Sequence, residues 1–78
     1  MDTLGWVYYK KNLPELAIPL FIKCVQKAPT NASYHYHLGL SYVKAGDSVR
    51  GRRSLEKAFG LGPDEATKSH ITRVLSGR

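Results

Sequence analysis

Three histidines, one cysteine and six carboxylates are the side chains in this sequence best suited to metal ligation, nucleophilic attack or proton transfer. Their spacing does not gather them. His35 and His37 are two residues apart and so point to different faces of any helix, and His70 lies far along the chain. Histidine ligands on a helix work at i, i+3 or i, i+4 with further donors nearby, so no metal is implied. Cys24 has Lys23 and Lys27 within a turn but no histidine to serve as its base, and reads as a small buried hydrophobe. Asp64 and Glu65 follow Pro63 at the start of a helical stretch, where carboxylates meet the positive end of the helix dipole; they read as capping and not as an acid–base pair. Gly60-Leu61-Gly62-Pro63 ends a helix but lacks the Lys-Ser/Thr of a phosphate loop. With no convergent acid, base and nucleophile, neither an enzymatic activity nor a cofactor is expected.

Charge offers another kind of chemistry. Twelve Lys and Arg against six Asp and Glu leave a formal charge of +6, spread over both halves of the chain. Arg50, Arg53 and Lys57 fall at i, i+3, i+7 and form one basic helix face, with Arg52 beside it and Glu56 in reach of an ion pair. Contact with RNA, DNA or an acidic protein is one reading. No aromatic residue interleaves with these charges, as single-strand binding requires, so an ordinary solvated face is the expectation and nucleic acid is not the expected partner. No apolar run approaches the roughly 18 residues of a membrane span, and Met-Asp-Thr-Leu-Gly lacks the basic and apolar regions of a secretory signal. A soluble chain, cytoplasmic by default, is expected.

The richest pattern is aromatic. Tyr36, Leu40 and Val43 lie at i, i+4, i+7, with Lys44 at the edge of their stripe. At 100° per residue, Leu40 is about 160° around the helix from Leu38, so this stripe faces nearly away from a second one built on Tyr34, Leu38, Tyr42 and Ala45. Earlier in the chain, Asp2, Trp6, Tyr9 and Lys10 occupy the corresponding side. A helix apolar on both sides is either buried twice or keeps one side for binding, and Trp and Tyr are the types enriched at binding hot spots.

These residues are carried by a repeat. Shifting the chain by 34 positions pairs Leu4 with Leu38, Gly5 with Gly39, Tyr8 with Tyr42, Lys10 with Lys44, Lys23 with Lys57 and Pro29 with Pro63. Six identities stand where chance gives about two. Ala17 against Gly51, Phe21 against Leu55 and Cys24 against Ala58 keep small opposite small and large opposite large. Punctuation divides each copy into two helices. Asn31 caps a helix running to about Ala45, Gly46 ends it in the left-handed conformation, and Asp47 caps a helix from Ser48 to about Leu61. In the first copy Asn12 takes the place of that glycine, Pro14 sits in the first turn of the next helix, and Pro19 lies deeper, where a kink or loosened turn is expected. A last helix is predicted from about Asp64 to Leu75. Tyr42 and Leu38 are expected in the core, with Gly39 against a neighbouring helix. Small size and no disulfide framework leave helix packing and association as the sources of stability.

Met1-x₂-Leu4-Gly5-x₂-Tyr8, Ala17-x₃-Phe21, Pro29 and His35-x₂-Leu38-Gly39-x₂-Tyr42, Gly51-x₃-Leu55, Pro63 resemble the tetratricopeptide (TPR) signature over residues 1–65, as in the C-terminal part of a bacterial-type TPR protein. Met1 and His35 stand where the signature has Trp, and Gly51 where it has Ala. The resemblance implies an all-α fold: two antiparallel helix-turn-helix repeats plus a C-terminal capping helix, a fragment of a right-handed solenoid. The whole forms a single domain over 1–78, with repeat one at 1–31 truncated at its start, repeat two at 32–65 and the capping helix at 66–78. It further implies a concave groove for a peptide or partner helix, formed here by Asp2, Trp6, Tyr9, Lys10, Tyr36, Leu40, Val43, Lys44 and His70. Its central positions, Asp2, Trp6, Tyr36, Leu40, His70 and Val74, include no Lys, Arg or Asn, so the carboxylate clamp of some members is not expected. An array needs roughly three units to close its core, so two units and a cap imply either the end of a longer array or a homo-oligomer.

Overall fold

A computed structural model describes residues 2–77, the side chain of Asp2 excepted. The described residues form five helices and no strand: α1 (Asp2–Lys10), α2 (Pro14–Lys27), α3 (Ala32–Lys44), α4 (Ser48–Gly60) and α5 (Glu65–Gly77). None is long and apolar enough to cross a membrane.

The helix ends lie where the capping chemistry puts them. Asn31, Asp47 and Asp64 each accept a hydrogen bond from the backbone N–H three residues on, at 3.2, 3.1 and 2.8 Å. Asn12, Gly46 and Gly62 take positive φ values of 65°, 92° and 78°. Two of the turns repeat bond for bond. Asn12 N–H donates to Tyr9 O and Leu13 N–H to Tyr8 O; 34 positions on, Gly46 N–H donates to Val43 O and Asp47 N–H to Tyr42 O. Helix α2 runs on through Pro19 to Lys27. The missing proline N–H removes one bond of the helix ladder there, the loosened turn that its position implies.

Packing joins chain neighbours, α1 with α2, α2 with α3, α3 with α4 and α4 with α5, and brings α1 onto α3. Helix α3 lies at the centre and is buried on two sides. Leu38 belongs to a cluster with Ala17, Phe21 and Cys24; Leu40 belongs to a second with Leu55, Ala58 and Ile71. Tyr42, expected deep inside, is only half-buried at the edge of the first cluster. The fully enclosed large side chains are Phe21, Leu55 and Ile71. Gly39 does lie against a neighbouring helix: a Cβ there would come within 2.7 Å of Leu55 and 3.1 Å of the Gly51 carbonyl.

Candidate functional site

Rings from three helices meet in one continuous ladder. On α1, Trp6 and Tyr9 stack with centroids 4.7 Å apart and planes 9° from parallel. Trp6 then stacks on His37 of α3 at 4.2 Å and 24°. His37 leans against Tyr36 at 5.4 Å, and Tyr36 meets His70 of α5 edge-on at 5.7 Å. A hydrogen bond joins the Tyr36 hydroxyl to His70 Nδ1. Beneath the middle rung, Phe21 tilts against His37 at 5.4 Å and ties the ladder to the first core cluster. Offset or edge-on pairs of this kind contribute about 0.5–1.5 kcal/mol each beyond area burial.

Lysines lie over the rings. Lys10 Nζ sits 5.5 Å from the Trp6 ring centre. Lys44 Nζ is 4.1 Å from the centre of Tyr9 and donates to the Tyr9 carbonyl at 3.4 Å. Burial pushes the Tyr9 phenol above its ordinary value. Burial does the same to Tyr36, helped by the neighbouring Tyr9 phenol and the Asp64 carboxylate and opposed by Arg73.

Six of the residues expected in a groove are thus brought together: Trp6, Tyr9, Lys10, Tyr36, Lys44 and His70. Three are not. Leu40 is only 5% exposed, because α5 sets Ile71 over it, so it supports the ladder from below and is no part of an open surface. Val43 lines a cleft between α4 and α5 with Val49, Arg52 and Val74. At 100° per residue it lies about 120° around α3 from His37, the side taken by α1. The Asp2 side chain lies outside the described residues. His37 is the residue the sequence reading missed. Its signal was the seven-residue interval to Lys44, which puts the two on one side of α3, the side where α1 comes to rest.

The basic face of α4 is partly engaged within the chain. Arg50 pairs with Asp47 at 3.6 Å, and Arg52 pairs with Glu56 at 3.5 Å and donates to the Leu75 carbonyl at 3.0 Å. Among the described residues no group of three or more His, Cys, Asp or Glu side chains converges as a metal site would require.

The raised phenols carry a pH dependence. A folded-state value above the unfolded one gives stability that is complete below the unfolded value of about 10 and is lost as pH rises through the folded value. The melting temperature is therefore expected to fall above pH 10, and less steeply in a Tyr9→Phe/Tyr36→Phe variant. Near-ultraviolet absorbance of tyrosinate should show the latest part of the titration missing from that variant. An unchanged titration would mean that these two rings are not shielded as described.

In comparisons with known proteins, no family model, curated protein or solved structure matches this chain.

Proposed function

We propose that this chain is a tetratricopeptide-type unit that binds a peptide segment of another protein along its aromatic ladder. The repeat reading is supported by the 34-residue recurrence of helix ends at Lys10 and Lys44, of helix starts at Pro14 and Ser48, and of the paired turn hydrogen bonds. On that reading α1, α3 and α5 are the first helices of successive hairpins in a right-handed array.

The observation that carries the binding proposal is the row of half-buried rings from Tyr9 to His70, reaching across all three first helices. Half-buried Trp and Tyr offer large contact area at little entropic cost, because their own packing already holds them. The ladder's charge defines the complementary ligand. Among the described residues Asp47, Glu56 and Glu65 are paired with Arg50, Arg52 and Lys68, and Asp64 caps α5. Lys10 and Lys44 have ring faces and a carbonyl for company but no carboxylate among the described residues. A segment with acidic residues set between aromatic or aliphatic ones matches this arrangement.

Selection from a random-peptide display library tests the reading, with the single tryptophan, Trp6, as an internal fluorescent reporter. Enriched peptides should be acidic and should shift Trp6 emission. Trp6→Ala should weaken them by about 2 kcal/mol, roughly 30-fold, as hot-spot truncation does. Lys10→Gln/Lys44→Gln should flatten the salt dependence of binding. A library that yields no binder, or binders indifferent to Trp6 and both lysines, would sink the proposal.

A further inference from the structure

The 34-residue recurrence lets one helix seam be compared with another inside the same chain. Where α2 meets α3, Ile18, Ile22 and Val25 of α2 and Tyr34 and Tyr42 of α3 pack against the first core cluster around Leu38. At the positions 34 on, where α4 meets α5, stand Arg52, Glu56 and Phe59, then Lys68, Ser76 and Thr72. The apolar seam has become a polar one. Charged side chains keep their heads in water and do not interdigitate across a helix pair. Arg52 instead bridges the gap, pairing with Glu56 at 3.5 Å and donating to the Leu75 carbonyl at 3.0 Å. Lys68 lies over the Phe59 ring at 5.8 Å. Among chain neighbours, α4 and α5 are accordingly the most loosely packed.

A cleft of about 600 Å³ remains between them, within the roughly 300–1,000 Å³ of small-ligand sites. Three helices supply its apolar lining: Val43 from α3, Val49 from α4, and Val74 and Leu75 from α5. Val49, at 69%, is the most exposed large apolar side chain among the described residues. The charge around this lining has one sign. The two nearby carboxylates are already engaged, Glu56 by Arg52 and Asp47 by Arg50. Arg53 lines the cleft and pairs with no carboxylate among the described residues. Lys44 and Arg73, next in sequence to Val43 and Val74, and Lys57, one turn beyond Arg53, add only positive charge.

We infer that the α4–α5 cleft binds a small amphiphilic carboxylate, its apolar chain against the valines and Leu75 and its carboxylate on the Arg53 guanidinium. This goes beyond the peptide-binding ladder and does not depend on it. A guanidinium fork matches a carboxylate in two parallel hydrogen bonds, and an apolar floor beside it rewards a ligand with both parts. From Ser48 to Glu56 the cleft follows α4 for about 12 Å, a length that an extended chain of about ten carbons spans. A medium-chain fatty carboxylate therefore fits in both charge and length.

Titration of the full chain with decanoate, followed by amide proton–nitrogen NMR, reads the outcome. The shifts should saturate at one ligand per chain and centre on Val49, Arg53 and Val74. Decanol keeps the chain without the charge, and acetate keeps the charge without the chain; each should bind at least about tenfold more weakly than decanoate. Arg53→Gln should weaken decanoate about tenfold and leave decanol unchanged. Val49→Asp, which sets a carboxylate against the ligand's own, should abolish saturation. Both positions are exposed, so both variants should keep the parent's helical circular dichroism. Trp6→Ala should bind decanoate like the parent, which keeps this test separate from that of the ladder. Shifts that never saturate, or that centre on the exposed Leu13 and Leu16 instead, overturn the proposal. Decanol binding as tightly as decanoate, or an Arg53→Gln variant with the parent's affinity, overturns it equally.

Discussion

Phe21→Ala is expected to cost about 3–5 kcal/mol, the range for truncating a buried aromatic ring. At roughly 0.05–0.15 kcal/mol per residue, a chain this short holds only about 4–12 kcal/mol in all, so the variant should be largely unfolded in mild denaturant. Phe21 is fully buried, fills the space beside Gly5 and props up His37 in the middle of the ladder. Its loss therefore removes core area and the support of the binding surface together. Phe21→Leu, which copies Leu55 from the second hairpin, should be far milder because most of the volume is kept. Tyr42→Ala should cost less than Phe21→Ala, since that ring is only half-buried. Urea melts of the three variants give the order directly. A Phe21→Ala protein that melts with the parent would mean that the first cluster is not the core.

Glycine substitutions should split by position. Alanine favours a helix over glycine by about 1 kcal/mol, yet Gly51→Ala is expected to destabilise. Its Cβ would come within 2.5 Å of Val43 Cγ2, 3.1 Å of the Gly39 carbonyl and 3.2 Å of the Val43 amide nitrogen. Two of those atoms are backbone, so α4 has to lift away from α3, at the 1–3 kcal/mol typical of overpacking. Gly39→Ala should be at least as harmful, because it drives into the branch carbon of fully buried Leu55. Gly60→Ala meets nothing within 4 Å and should stabilise by about 0.5–1 kcal/mol. Thermal melts of the three variants check the split. If Gly51→Ala raised the melting temperature as Gly60→Ala does, the close crossing of α3 and α4 would be wrong.

Gly51 shows what a linear reading misses. As a helix-interior glycine it looks like a local weakness, and only the approach of α3 explains it. Helix ends were easier to read, because caps and left-handed residues act within four positions: Asn31, Asp47, Asp64, Asn12, Gly46 and Gly62 all behave as their types require. The ladder was half legible. Periodicity found Trp6, Tyr9 and Tyr36, but His37 joined them only through the placement of α1, which no pattern within α3 encodes. Leu40 and Val43 share a stripe with Tyr36, yet neighbouring helices divide that stripe, burying Leu40 under α5 and leaving Val43 in the cleft beside α4. Tyr42 fell short of the core for a related reason, since the stripe it shares with Leu38 is wider than the surface α2 covers.

The chain-neighbour packing of the five helices has a kinetic consequence. Contacts that close only short loops need little entropy to form, so folding belongs in the microsecond-to-millisecond range of helical bundles. The same architecture sets the order of opening. Helix α5 packs on α4 through Ile71, Val74 and Leu75 and is joined by the Tyr36–His70 and Arg52–Leu75 hydrogen bonds; with so few ties it can open as a unit while α1 to α4 stay folded. Such a detachment would strip the cover from Leu40 and the last rung from the ladder at once. A ligand spanning Trp6 to His70 would then act as a clasp on the end helix, and the slow amide exchange it confers on α5 would be a measure of how far along the ladder it reaches.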